Sequence, residues 1–358
     1  MKKKEFTYEK AGVSIDRVSK AHQIIGELIK RTYQNRKGKF GEVFGEYGHY
    51  AGLLDISDEL CLALHVDGVG TKVLVSQLMN KYDTIGIDLV AMHVNDLICM
   101  GAEPVALEDY LAVEEADPDF IAEIMKGIVA GAEIAQMAVI GGETATMPDI
   151  IKGVRKGKGY DLSAMSIGVV KKTNIITGES IQPNDIIIGL ESNGIHSNGL
   201  TLARKALLEL GKLTIDQKLP NSQIKVGEEL LRPTKIYSQE ILEIIQSVEV
   251  HGLAHITGGA FSKLSRLNFS EIGFNLTDLP DPPQIFKNIQ SITNISDYEL
   301  YRTFNMGIGF CVITDESNYP EIKKICQRFK TKIYRIGNII ADQGVFITNS
   351  KEEKIKLI

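Results

Sequence analysis

The chain has 358 residues, 44% hydrophobic and 24% charged, with a formal net charge of −6. This is ordinary globular composition, long enough for two domains, and the negative balance argues against non-specific binding to nucleic acid or anionic membranes. No uninterrupted apolar run approaches the ~18 residues of a membrane span, and the lysine-rich start Met1–Lys4 is followed by no apolar stretch of the signal-peptide kind. Cys61, Cys99, Cys311 and Cys326 show neither Cys-x-x-Cys nor zinc spacing and read as reduced core thiols of a cytoplasmic protein.

In chain order, Ser19 to Tyr33 carries apolar residues at helical spacing, and Gly38 to Gly52 is rich in Gly and aromatics, the composition of a loop able to close over a ligand. A strand is predicted at 60–67 and helices at 72–80 and 85–100. A strand at 104–113, a helix at 118–136, a short strand at 138–140 and a strand at 162–170 follow. The polar stretch 170–184 sets a domain boundary near residue 172. Beyond it come a strand at 185–190, a loop at 192–199, a helix at 200–210 and helical segments at roughly 226–247 and 257–267. Strands near 272–276, 309–314 and 343–348 and a helix at 318–329 complete the reading. Strands alternating with helices indicate an α/β or α+β layer fold.

The most informative stretch is Leu64-His65-Val66-Asp67-Gly68-Val69-Gly70-Thr71-Lys72. A buried strand ends there at an acid, a two-glycine loop, a hydroxyl and a lysine. Magnesium-bound polyphosphate needs that set: a carboxylate for the metal, bare N–H groups and a cation for the phosphates. Walker A spacing and the dinucleotide fingerprint are both absent. Two more acids follow, Asp96 inside an apolar helix beside Asn95, and Glu143 after Gly141-Gly142 and before Thr144. An acid within an apolar helix is costly unless paired or metal-bound. Asp67, Asp96 and Glu143, as three oxygen ligands, suit Mg²⁺. On strand parity His65 shares a face with Asp67, with simple packing the bland alternative. His196-Ser197-Asn198-Gly199 precedes a helix and reads as an anion site or as ordinary N-capping, with His196 able to act as acid or base. His255-Ile256-Thr257-Gly258-Gly259 reads as a further loop opening a helix.

These blocks, in this order, resemble the aminoimidazole ribonucleotide synthetase (phosphoribosylformylglycinamidine cyclo-ligase) family. The residues carrying the resemblance are Tyr8 to Val13, Asp67 to Lys72, Tyr82 to Asp88, Val94 to Leu97, Gly101 to Pro104, Gly141 to Met147, His196 to Gly199, His255 to Gly259 and Tyr301 to Gly309, nearly the whole chain. The Gly-rich segment departs from the family's frequent Gly-Gly-Phe-Gly and reads Phe44-Gly45-Glu46-Tyr47-Gly48-His49-Tyr50.

The resemblance implies a two-domain subunit. A nucleotide-binding and dimerisation domain (1–171) would pair its mixed sheet across a homodimer into a shared barrel, and an α/β domain (172–358) would complete the active site. It implies ATP-dependent ring closure of formylglycinamidine ribonucleotide in purine biosynthesis, with ATP and Mg²⁺, small-molecule substrates, and neither nucleic acid nor membrane as partner. Lys72, His196 and Asp67 would be catalytic. Gly68, Gly70, Thr71, Asn95, Thr144, Ser197, Asn198, Gly199 and His255 would bind ATP or substrate, and Asp67, Asp96 and Glu143 the metal. Thiamine-monophosphate kinase is the nearest alternative, but its paired Ile-Gly-Asp-Asp acids are missing; a non-catalytic nucleotide-binding scaffold would have lost the acids that are present here.

Overall fold

The computed structural model describes residues 6–267 and 271–358. Its first sheet has six strands: β1 (Glu42–Phe44), β2 (Gly52–Asp55), β3 (Leu60–Gly68), β4 (Glu103–Val113), β5 (Ala138–Thr146) and β6 (Tyr160–Lys171), in the order β1-β2-β3-β6-β4-β5. All pairs are antiparallel except β4–β5. A parallel pair needs a crossover, and helix Pro118–Ala135 supplies it, capped by Asp117, whose carboxylate accepts the N–H groups of Asp119 and Phe120.

The second sheet has seven strands: β7 (Ile186–Glu191), β8 (Gly252–His255), β9 (Gly273–Leu276), β10 (Ile308–Thr314), β11 (Ile333–Ile340), β12 (Gly344–Thr348) and β13 (Lys354–Lys356), in the order β13-β12-β9-β11-β7-β10-β8. Only β9–β12 is parallel. Strands β7 and β10, buried along nearly their whole length, are continuous apolar runs, as expected of strands covered on both faces.

Helix Ile85–Cys99 joins the two layers. Every residue of it except Ile87 is buried, because it packs on β3 and β6, on helix Pro118–Ala135 and on β8 of the second sheet. The crossing with helix Pro118–Ala135 is close enough to demand glycine: a Cβ on Gly127 would stand 2.7 Å from the carbonyl oxygen of Asp83, and one on Gly86 would run into the backbone of Ile128.

Several elements depart from the sequence reading. The first helix starts earlier, at Ile15, where the Ser14 hydroxyl accepts the Arg17 N–H. The stretch 226–247 is two helices, Val226–Leu230 and Ser238–Ser247, separated by a segment containing Pro233. Proline removes an N–H and disfavours helix at the residue before it. Strand β5 runs on to Thr146, and His255 ends strand β8 rather than lying in a loop. Strands β1, β2, β8, β11 and β13 and the helices Gln284–Thr293 and Asp297–Thr303 have no counterpart in the reading. Among the described residues no helix is long and apolar enough to cross a membrane.

Candidate active site

Strand parity sets one side of the site. On β3 His65 pairs with Ser166, and Asp67 with Ala164, so His65 and Asp67 face helix Ile85–Cys99 while Val66, 71% exposed, points the other way. From the helix comes Asp96, 3% exposed. One of its oxygens lies 2.7 Å from Nδ1 of His255 at the end of β8; the other lies 3.3 Å from Nε2 of His65. His93, one turn earlier, meets the Ser166 hydroxyl at 3.0 Å and the His65 ring at 3.3 Å. The expense of an acid in an apolar helix is thus met by two imidazoles, one from each lobe.

The electrostatics follow from burial. Burial opposes ionisation of Asp96, but the charge of Lys263 and the hydrogen bonds from His255 and His65 outweigh it, so its carboxyl sits well below the usual range. Asp67 goes the other way: burial and the Asp96 charge push it up, against a hydrogen bond from the N–H of Gly68 at 2.7 Å. Burial lowers both His255 and His93, the latter to about 3, so both rings are neutral at pH 7.

Lys72 is corrected by the structure. Its side chain does not reach out of the glycine loop; it is fully buried, with Nζ 2.7 Å from Asp88 and 2.6 Å from the carbonyl oxygen of Arg232. Asp88 also accepts from the Thr234 N–H (2.7 Å), the Thr234 hydroxyl (2.5 Å) and Ser197 (3.3 Å). A fully buried ammonium paired in this way cannot turn to a phosphate without leaving a carboxylate uncompensated, a loss of about 3–5 kcal/mol. Asn95 is committed as well: its amide nitrogen donates to the carbonyl of Lys235 (2.8 Å) and its oxygen accepts the Tyr237 N–H (3.0 Å). Lys72, Asn95 and Ser197 therefore tie the two lobes together.

The three acids do not form one centre within the chain. Glu143 pairs with Tyr110, which pairs with Ser163 opposite Gly68. This places Glu143 on the outer face with Val66, opposite to Asp67. There it borders a cavity of about 410 Å³ with Glu108, Tyr110 and Met165. Among the described residues no group of three or more His, Cys, Asp or Glu side chains is placed to hold a metal. Thr144 is exposed on the same edge strand.

The glycine loop lies at the mouth between the lobes. Gly70 has φ +59°, and the Thr71 hydroxyl meets that of Thr201 in the second lobe at 2.8 Å. Across from it His196 is buried, and its Nε2 accepts the Asn193 N–H at 3.0 Å. Nδ1 of His196 and Oδ1 of Asn198 are buried without a partner among the described residues. Burial, with the nearby charges of Lys72 and Lys235, holds His196 well below its ordinary pKa. The expectation of a general base is therefore revised: a neutral ring with Nε2 occupied presents an Nδ1–H donor. Gly199 has φ +80°, and a Cβ there would lie 2.5 Å from the Phe304 ring, so it is the backbone that lets this loop pack.

Some site residues escaped sequence reasoning. Asp88 ends a motif that carries the family resemblance but is given no role by it, Thr234 and Tyr237 lie in a segment read only as helix, and Lys263 reads as an ordinary polar residue in a helical segment. One signal was available: Asp88, Asn95 and Asp96 stand at i, i+7 and i+8 in an otherwise apolar helix, a polar stripe on one face.

Two family models cover most of the chain. The AIR synthase related protein N-terminal domain matches residues 48–170 and the corresponding C-terminal domain residues 182–349. The fold recurs in Thermotoga maritima PurL solved with ADP, with a TM-score of 0.58 at 14% identity over 92% of this chain and 48% of that one. The chain is 46% identical to phosphoribosylformylglycinamidine cyclo-ligase of Pyrococcus furiosus over 96% of its length and 98% of the relative's. It is 44% identical to the enzyme of that name from Methanobrevibacter smithii, over 95% and 96%. It belongs to the phosphoribosylformylglycinamidine cyclo-ligase family.

The state of His196 has a consequence for stability. A histidine whose folded pKa lies below its unfolded value of about 6.5 binds its proton more readily in the unfolded chain. Stability is therefore intact above about pH 6.5 and is lost as pH falls from there toward the folded pKa. His196→Asn is expected to flatten the pH dependence between pH 6.5 and 5 by about one proton, or about 1.4 kcal/mol per pH unit. Urea unfolding at those two pH values checks it; equal slopes in the two proteins would contradict a buried neutral ring.

Proposed function

We propose that this chain closes the imidazole ring of aminoimidazole ribonucleotide. ATP phosphorylates the formyl oxygen of formylglycinamidine ribonucleotide and ADP leaves. A substrate nitrogen then attacks the activated carbon, and the C–O bond breaks to release inorganic phosphate. The observation that carries this reading is the near-full-length likeness to enzymes of that name. An amide oxygen is a poor leaving group and phosphate a good one, which is why ATP is needed. A protein of the same fold has been solved with ADP.

Gly68, Gly70, Thr71 and Thr144 are assigned to the nucleotide, the glycine loop offering N–H groups to phosphate oxygens. Asp67 fits a magnesium ion: its half-buried carboxylate is made basic by burial and by the neighbouring Asp96 charge, and a divalent cation would relieve both. An ion held by Asp67 would supply positive charge against the transferring phosphoryl group. Asp96, already held by His255 and His65, orients those rings and would support such an ion by its charge. The donor at His196 Nδ1 and the acceptor at Asn198 Oδ1 match the amide and amidine groups of the substrate, with Gly199 setting their loop. Lys72, Asn95 and Ser197 position the two lobes.

Residues 1–171 are assigned to nucleotide binding and dimerisation, and 172–358 to completing the site in a cytoplasmic homodimer. The outer face of the first sheet exposes Val66, Val105, Tyr110 and Ile140, an apolar area of the kind that marks an interface. Pairing two such sheets would close a barrel and bring Glu143 into a site shared between two copies. Val66→Asp is expected to shift the protein toward monomer in sedimentation velocity; an unchanged dimer would remove this face from the interface.

Purified protein with Mg-ATP is expected to release ADP when given formylglycinamidine ribonucleotide, and not when given thiamine monophosphate or no second substrate. Asp67→Asn should lower that rate by about 10²-fold or more while the fold is retained. Stimulation by thiamine monophosphate would replace the reaction, and a near-normal rate in Asp67→Asn would remove Asp67 from the ion.

A further inference from the structure

With Lys72 sealed in the seam between the lobes, the glycine loop offers no free cation to a phosphate. The structure holds another one nearby. Residues Ala260–Arg266 form a short turn beyond the Thr257-Gly258-Gly259 loop, and they project two cations over one aromatic ring. Lys263 Nζ lies 5.6 Å from the centre of the Tyr50 ring, and the Arg266 guanidinium carbon 5.2 Å from it. Tyr50 is buried, and its hydroxyl donates to the carbonyl oxygen of Lys263 at 3.4 Å, so ring and turn fix each other.

Lys263 is half-buried; burial lowers the pKa of its ammonium and the charges of Asp96 and Asp67 oppose that. Among the described residues no hydrogen bond or ion pair reaches its ammonium, yet its charge acts on both Asp96 and Asp67. Arg266 borders a cavity of about 500 Å³ with Phe44, Tyr47, His49 and Thr177, and with the carboxylates of Glu46 and Glu179. That volume suits a small molecule such as a nucleotide. The cavity is part aromatic and part polar, with Glu46 and Glu179 on its wall, so the anion is received at the cation pair itself, next to the acid proposed for magnesium, rather than across the cavity.

We propose that Lys263, backed by Arg266, is the phosphate-binding cation of this cleft, the part expected of Lys72. The proposal rests on the ATP-dependent reading above. The phosphate it holds belongs either to ATP or to the ribonucleotide, two sources that share one chemistry.

Calorimetric titrations of wild type, Lys263→Met and Lys263→Arg separate them. The ligands are a non-hydrolysable ATP analogue with Mg²⁺, aminoimidazole ribonucleotide, inorganic tripolyphosphate and adenosine. Lys263→Met is expected to keep its unfolding midpoint and its adenosine affinity. It should bind a phosphorylated ligand about tenfold to a hundredfold more weakly, with Lys263→Arg recovering most of the loss. Weakening confined to the ATP analogue and tripolyphosphate assigns Lys263 to the nucleotide; weakening confined to the ribonucleotide assigns it to the substrate. Unchanged binding of all three phosphorylated ligands in Lys263→Met overturns the proposal, as does a wild type that binds none of them. If wild type binds tripolyphosphate through Lys263 but shows no ribonucleotide-stimulated ADP release, the ring-closure reading falls while the cation site stands.

Discussion

A buried, ionised carboxylate with an imidazole on each side is the interaction on which the arrangement of this chain turns. Asp96 sits in a helix buried on almost every side and takes one histidine from the first sheet and one from the second. Leaving a buried charge short of a hydrogen-bond partner costs about 1–3 kcal/mol or more, so the two lobes meet in one register. Seven and eight residues separate Asp88 from Asn95 and Asp96, and all three face the second lobe. Asp88 receives Thr234 and Ser197, Asn95 receives Tyr237, and Asp96 receives His255. One helix face carries much of the seam, and Thr71 and Lys72 add to it from the neighbouring element.

That constraint explains why the site is made of loops on a rigid frame. The glycine loop follows β3, the His196 loop follows β7, and the turn bearing Lys263 follows β8. All three are held where helix Ile85–Cys99 bridges the two sheets. Charges inside the seam are paired within the protein, as with Lys72 and Asp88, whose contacts all fall on Oδ1 while Oδ2 has no partner among the described residues. Groups at its mouth are left with capacity to spare: the Asp67 carboxylate, the Nδ1 of His196 and the Lys263 ammonium. Binding chemistry belongs to the second set and register to the first.

Much of this was legible in the residues. Apolar runs and helical periodicity located β3, β4, β6, β7, β10 and the long helices to within a few residues, because each buries a face that its pattern declares. The acid and glycine motifs led to the family. What each polar side chain does was less legible. Lys72 looks like a phosphate ligand until Asp88, sixteen residues on, and Arg232, in the other lobe, are seen to hold it. Glu143 looks like a third metal ligand until strand parity turns it to the opposite face, a fact that depends on the register of three strand pairs. The short strand β8 was hidden because four residues carry too little periodicity to tell strand from loop, and Lys263 because a lysine on a turn is ordinary until a ring and two acids converge on it.

The most direct measurement follows the formyl oxygen. Formylglycinamidine ribonucleotide labelled with ¹⁸O at that position, turned over with Mg-ATP, should release inorganic phosphate carrying the label once per ring closed. Imidazole product accompanied by unlabelled phosphate would contradict phosphorylation of the formyl oxygen as the step that this cleft performs.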